Sequence, residues 1–429
     1  MTDSSLLFTA LFSALLVLGL VTKFYLATRQ IRHVARHRNQ VPADFASTIT
    51  LASHQKAADY TIAKARLGML EMGLGAVILL GWTLLGGLDA LSQIAIRSGL
   101  ADYGLLAPQL ALLLAFGLIS GLLDLPFSLY KTFRLEERFG FNKMTAKLWL
   151  ADLLKSTLVG AVVGLPIVAL ILWLMSSAGS LWWLWTWMVW MGFNLLVLVF
   201  FPTVIAPLFN KFKPLDDEVL KARVTALMQR CGFAAKGLFV MDGSKRSAHA
   251  NAYFTGFGAA KRVVFYDTLL KQLDPAEVDA VLAHELGHFK HKHIIKRVVV
   301  MFGISLIGFA LLGWLSSQVW FYTGLGVRPS LAGGNEALAL LLFLMAVPLL
   351  SFFVSPVMAQ VSRKHEFEAD AYAISQTDGH HLQSALLKLY KDNASTLTPD
   401  PVFVKFYYSH PPASERLGRM TASFKSVSS

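Results

Sequence analysis

Cysteine is almost absent from this 429-residue chain: Cys231 is the only one. That excludes an intramolecular disulfide and any cysteine-cluster zinc site, and it leaves Cys231 as packing rather than as a nucleophile. Charge is scarce as well. Asp, Glu, Lys and Arg together make up 15% of the residues against 55% hydrophobic, and the mean hydropathy is +0.52. A chain this apolar is not a soluble enzyme, and it is too long for a single anchored helix. No basic region precedes the first apolar run, because Lys23 and Arg29 come after it. The first run is therefore expected to be a retained span and not a cleaved signal peptide. Internal repeats and low-complexity tracts are missing too. Gly243-Ser244-Lys245 lacks the earlier glycine of a phosphate loop, which removes that reading.

What the chain does have is long apolar stretches, several near the roughly 20 residues needed to cross a bilayer. Seven are expected to span: Leu6–Leu26, Leu67–Leu88, Leu105–Leu129, Leu158–Met175, Leu181–Ala206, Val298–Tyr322 and Ala337–Ala359. The fold class is a mostly α, polytopic membrane protein. Acids are outnumbered, 27 to 39, for a net charge of +12. Nucleic acid is not needed to explain this, because the bases alternate with the spans. Arg29, Arg32, Arg36, Arg38, Lys56, Lys64 and Arg66 lie around the first connection, and Lys131, Arg134, Arg138, Lys143 and Lys147 follow the third span. The segment after the fifth span and the C-terminal tail are basic, whereas the connections after the second, fourth and sixth spans are nearly free of bases. By the positive-inside rule, the N-terminus is outside, and the C-terminus and the large segment after span five are cytoplasmic.

Glu71, Asp89 and Asp124 lie in or beside the second and third spans, where acids face a bundle interior or reach headgroup water. Trp182, Trp183, Trp185, Trp187 and Trp190 form a tryptophan cluster at the outer end of the fifth span, as in an interfacial belt. From about residue 210 to 297 the chain turns mixed and polar. Gly237–Met241 and Arg262–Tyr266 read as strands, with a strand-like aromatic segment, His249–Phe257, between them. Two parts follow: 1–208 with five spans, and 209–429 with a small sheet, two further spans and the tail.

The stretch with chemistry in it is His284-Glu285-Leu286-Gly287-His288. Residues i and i+4 of a helix stack on one face, so both imidazoles reach one ion while Glu285 stands beside it as a general base. This is what a zinc hydrolase needs: two nitrogen ligands, an open position and a base for the water. Asp274-Pro275-Ala276-Glu277 supplies an N-cap, a proline at the first helical position and a capping-box glutamate, so the helix starts about ten residues upstream. A metzincin would carry a third histidine six residues after His288, but Ile294 is there. His291 lies about 10 Å along the axis from His284 at 1.5 Å per residue, too far to share the ion. With His293 it is expected at the membrane interface. A better third ligand lies in Arg363-Lys364-His365-Glu366-Phe367-Glu368-Ala369-Asp370, just after the seventh span. Glu366 and Asp370 share a face, so a ligand there would have an aspartate one turn on to receive the other N–H of a ligating histidine. Spacing alone leaves Glu366 and Glu368 both open.

Six runs in this order carry a resemblance: HQKAADY at 54–60, EERFGFNK at 136–143, GSKRSAHANAYF at 243–254, HELGH at 284–288, EFEAD at 366–370 and SHPPASER at 409–416. The chain resembles the type I CAAX prenyl endopeptidases, integral-membrane zinc metalloproteases of the gluzincin kind, over nearly its whole length. The resemblance implies seven spans around a hollow, water-filled chamber closed on its cytoplasmic side by the zinc domain. It implies one Zn2+ held by His284, His288 and Glu366, with Glu285 as base and Asp370 behind the ligands. It further implies that Asn251 holds substrate backbone and that His410 stabilises the oxyanion or positions substrate. The substrate class would be peptide or protein, cleaved three residues from a prenylated C-terminus. In a bacterial cytoplasmic membrane, quality control of membrane proteins is the alternative task; in a eukaryote the membrane would be that of the ER. An intramembrane protease is excluded by the polar run Lys290 to Arg297 after the motif. A transporter or scaffold with a vestigial metal site would not need Glu285 beside the ion.

Overall fold

The computed structural model describes residues 2–233, 237–255, 262–330 and 333–427. Among the described residues, seven helices are long and apolar enough to cross a membrane: Asp3–Arg36, Leu51–Trp82, Leu106–Glu136, Ala146–Ser177, Gly179–Phe209, His293–Leu315 and Glu336–Gln376. These are spans 1 to 7 below. Each covers most or all of an expected stretch, but the ends differ. Span 2 stops at Trp82 rather than Leu88, because Gly86 takes φ 79 and turns the chain into a separate helix, Gly87–Arg97. Span 6 stops at Leu315 rather than Tyr322; Ser316 to Gln318 break it, and a short helix Val319–Thr323 follows.

Other helices run well past their apolar window. Span 7 has 41 residues, roughly 60 Å at 1.5 Å per residue, against a hydrocarbon layer of roughly 30 Å. Its C-terminal part therefore stands clear of the membrane with Glu366 and Asp370 on it. Arg363 anchors that part: it is buried, and its Nη1 donates to the carbonyls of Val404 and Tyr408, each at 2.7 Å.

Buried apolar residues gather at two ends, with a smaller cluster of Tyr60, Leu135, Phe139 and Phe141 besides. One cluster joins Phe12, Leu88, Leu112, Leu172, Leu312, Phe321 and Leu342, where the span ends far from the sheet meet. The other joins Val224, Phe265, Val278, Leu282, Leu286 and Leu386 around the sheet and the motif helix. Between them the bundle is open. A cavity of about 830 Å3 there is lined by Gln30, Lys64, Glu71, Tyr407 and His410, among others. Glu71 thus lines this cavity, which Asp124 does not, and both are exposed. Asp89 is buried and accepts from the Arg328 guanidinium (2.6 Å) and backbone N–H (2.9 Å). Of the tryptophans expected in an interfacial belt, Trp187 donates from its Nε1 to Ser305 Oγ of span 6 at 3.1 Å. Cys231 is buried, as its packing role requires.

The sheet is mixed, in the order β1-β2-β4-β3: β1 Phe212–Pro214, β2 Gly237–Met241, β3 Ala252–Thr255 and β4 Arg262–Tyr266. β2 runs parallel to β4, and β3 pairs antiparallel with β4 in the register Tyr253↔Val264. β1 was not expected, being three residues long with a proline. Gly256 and Phe257, expected to continue β3, lie outside the described residues. Among the described residues β3 is an edge strand with its far side unpaired.

Candidate active site

The motif helix, Pro275–Lys290, begins as its sequence predicts, with a capping box between Asp274 and Glu277. Glu277 does more than cap: it is buried and accepts from Ser384 Oγ (2.6 Å) and Lys388 Nζ (2.8 Å), which fixes the helix to its neighbour. The far end packs on span 7 at Gly287. A Cβ there would lie 2.9 Å from Ala369 Cα and 3.1 Å from Ala369 O. Only glycine allows this approach, which brings the two histidines onto the carboxylate.

There, His284 Nε2 lies 3.4 Å from Glu366 Oε2, and His288 Nε2 lies 3.4 Å from Glu366 Oε1. The three ligand atoms lie within 4.8 Å of one another. Two corners of a tetrahedron around an ion bonded at about 2.1 Å are about 3.4 Å apart, so the spacing suits a metal ion. Two further observations fit one. Glu366 Oε2 is buried without a hydrogen-bond donor. Burial works against a charged imidazole, yet the carboxylates of Asp370 and Glu366 push His284 up to about 9. The pocket therefore favours positive charge where the ligand nitrogen sits, which suits a cation.

Behind the ligands, His284 Nδ1 lies 2.8 Å from Asp370 Oδ1. Asp370 is held in turn by Arg416, whose Nε donates to Oδ2 at 2.8 Å and Nη2 to Oδ1 at 2.5 Å. Both partners are buried, and Asp370 keeps the Arg416 pKa raised against that burial. Glu285 is half-buried on the same helix. His410 Nε2 approaches Glu366 Oε1 to 3.3 Å while the ring stays largely exposed to the cavity. Asn251 immediately precedes β3 and is exposed. Its Oδ1 accepts from the Ala252 N–H (2.8 Å) and its carbonyl from the Tyr266 N–H (3.0 Å).

Glu366 thus faces the histidines and Glu368 does not. His293, expected at the membrane interface, is buried instead, because the chain reverses at Lys292 and folds it back onto His288. Sequence reasoning does not single out Arg416, Arg363, Gly287 or His293 as site residues. Arg416 and Gly287 carry a signal, since they fall within the SHPPASER and HELGH runs; Arg363 and His293 carry none. The other runs meet close by. Tyr60 donates to Glu136 Oε1 (2.7 Å), and the His249 ring stacks on Phe141 at 4.4 Å between centroids.

Residues 30–211 match the family model for the CAAX prenyl protease N-terminal region, five membrane helices, and residues 214–423 match peptidase family M48. The chain is 38% identical to the CAAX prenyl protease 1 homolog of Arabidopsis thaliana over 304 residues, 70% of each protein. It is 31% identical to that of Homo sapiens over 441 residues, covering 92% of this chain and 91% of the relative. The crystal structure of S. mikatae Ste24p matches with a TM-score of 0.89 at 31% identity, over 96% of this chain and 99% of that one. The chain belongs to the CAAX prenyl protease 1 family, membrane metalloendopeptidases of peptidase family M48.

Proposed function

We propose that this protein is a zinc endopeptidase that removes the last residues from prenylated CAAX-type C-termini, with its catalytic part at the cytoplasmic face. The observation that carries the reading is the convergence of His284, His288 and Glu366 at metal-ligand spacing with Glu285 alongside. One Zn2+ per chain would be held by those three. When bound, zinc supplies an acidified water and polarises the scissile carbonyl. Glu285 takes the proton of the attacking water and delivers it to the departing amine as the C–N bond breaks. Asp370 holds His284 in orientation, with Arg416 holding Asp370. His410, exposed beside the ligands, donates toward the developing oxyanion. The free edge of β3 pairs with substrate backbone, and the Asn251 amide adds a donor at its start. The division of labour follows the chain: 1–208 builds most of the membrane enclosure, and 209–429 holds the site. Attraction of the basic connections to an anionic cytoplasmic leaflet supports the orientation.

The test is cleavage of a farnesylated CAAX peptide and its unprenylated twin by detergent-purified protein, with E285Q and a zinc chelator as controls. Glu285-dependent cleavage of the prenylated peptide alone is the expected result. Equal cleavage of both would replace prenyl specificity with a broader role on membrane proteins, which backbone reading by an edge strand permits. Cleavage that survives E285Q would overturn the assignment of the base.

A further inference from the structure

His293 is a buried histidine that the reading above leaves unused. It is the first residue of span 6, and Lys292 before it takes φ 56 and ψ 32, a left-handed conformation that residues bearing a Cβ adopt reluctantly. The turn points the His293 ring back into the site. Its Nδ1 lies 3.0 Å from His288 Nδ1, and its Nε2 lies 2.8 Å from Glu368 Oε2. His365 stacks on the ring at 3.9 Å between centroids and 12° between planes. The other Glu368 oxygen is 3.9 Å from Lys364 Nζ.

Two ring nitrogens that face each other form a hydrogen bond only if one carries a proton and the other does not. The ligand set above, on which this inference rests, uses His288 Nε2, so the His288 proton is on Nδ1. His293 Nδ1 must then accept it, and the His293 proton is on Nε2, where the Glu368 carboxylate receives it. One tautomer assignment satisfies all four atoms. We propose that His293 and Glu368 form a positioning relay that fixes the tautomer and ring plane of His288 and strengthens it as a ligand. It is the counterpart, from the other side, of Asp370 at His284.

His293, His365 and Glu368 also lie with ligand atoms within 4.8 Å of one another, as the ligands of a second ion would. The stacking argues against an ion there. Parallel rings aim their in-plane lone pairs in parallel, so they do not converge on one point, and both His293 nitrogens are already engaged.

The experiment uses full-length protein in detergent, loaded with zinc or cobalt. Zinc affinity is measured by competition with a chromophoric chelator, the ligand field from the cobalt absorption spectrum, and stoichiometry by metal analysis. Zinc affinity falls about 10- to 100-fold in H293F. It falls less in H293Q, whose side-chain oxygen accepts from His288 Nδ1–H, and by a few-fold in E368Q. The cobalt bands shift in H293F, and one ion is bound per chain throughout. Unchanged affinity and spectrum in both H293F and E368Q would overturn the relay. Two ions per chain, one of them lost in E368Q, would also overturn it in favour of a second metal site. H288A reports on the ligand set separately. Full zinc affinity there would remove the ligand assignment and the relay with it. Loss there, with no effect at His293 or Glu368, overturns the relay alone. If H293F does not fold, E368Q carries the test, since the Glu368 side chain is 32% exposed and its replacement disturbs no core.

Discussion

Spans 2 and 7 are built on the same pattern, an apolar run joined within one helix to a polar motif outside the membrane. In span 2 the motif, residues 54–60, comes first; in span 7, at 363–370, it comes last. What each motif buries is different. Span 2 buries His54, Ala57, Ala58 and Tyr60, and its Asp59 stays at the rim in a half-exposed pair with Arg38. Span 7 buries Arg363, Glu366 and Asp370. An effective penalty of several kcal/mol per buried ion makes the second arrangement costly unless each charge has a fixed partner. Asp370 has Arg416 and His284, and Glu366 lies 3.4 Å from both ligand histidines, at the spacing a shared metal ion fits. Both helices are apolar enough to span, span 7 the more so, and hydropathy does not say which one carries chemistry. Buried, partnered charge separates the one that carries chemistry from the one that carries scaffold.

The comparison breaks if the span 7 side can be altered without loss of function. E285Q, on the helix packed against span 7, should lower peptidase activity at least about 100- to 10,000-fold, the range for a lost general base. Its zinc content, by metal analysis, should stay at the wild-type level, because Glu285 is not a ligand. Arg416→Met leaves Asp370 charged, buried and without its guanidinium. Breaking such a pair costs about 3–5 kcal/mol, so the melting temperature should fall sharply and zinc affinity about 10- to 100-fold. Near-native melting with intact zinc affinity would show that the buried charge is not what organises this helix. Gly287→Ala forces a Cβ to within 2.9 Å of Ala369 Cα. Overpacking of this kind costs about 1–3 kcal/mol, and it also moves the histidines away from Glu366. Zinc affinity and kcat should drop together, and a change in KM alone would contradict the mechanism.

The spans are legible in the sequence because about 20 apolar residues in a row have no other common use. Their ends are not, since span 7 continues through a polar stretch stabilised by tertiary partners such as the carbonyls that Arg363 binds. The two histidines with their glutamate are legible from helical spacing. The choice between Glu366 and Glu368 is not, because both sit on one helix end; the difference lies in which face Gly287 brings against the motif helix. His293 looks like part of a basic membrane edge in Lys290-His291-Lys292-His293. The reversal at Lys292 leaves no mark in residue type, since lysine rarely takes that conformation. His410 is placed by a C-terminal segment whose anchor, Arg363, is 47 residues away, and local pattern cannot reach that far.

The scaffold side of the comparison is sharpened by Tyr60→Phe. Tyr60 stands between Phe139 and Phe141, ring centroids 5.0 Å from each, and its hydroxyl donates to Glu136 at 2.7 Å. Phenylalanine keeps the ring packing and removes only the hydrogen bond. The loss is about 1.5–3 kcal/mol for a bond to a charged group, and less here because Glu136 also lies 3.7 Å from His249 Nε2. The melting temperature should drop by a few degrees, with zinc content and the cobalt spectrum unchanged, since no metal ligand is held through Tyr60. A fall in zinc affinity as large as that of Arg416→Met would mean that span 2 also orients the metal site, and the division between a scaffold helix and a chemical helix would have to be given up.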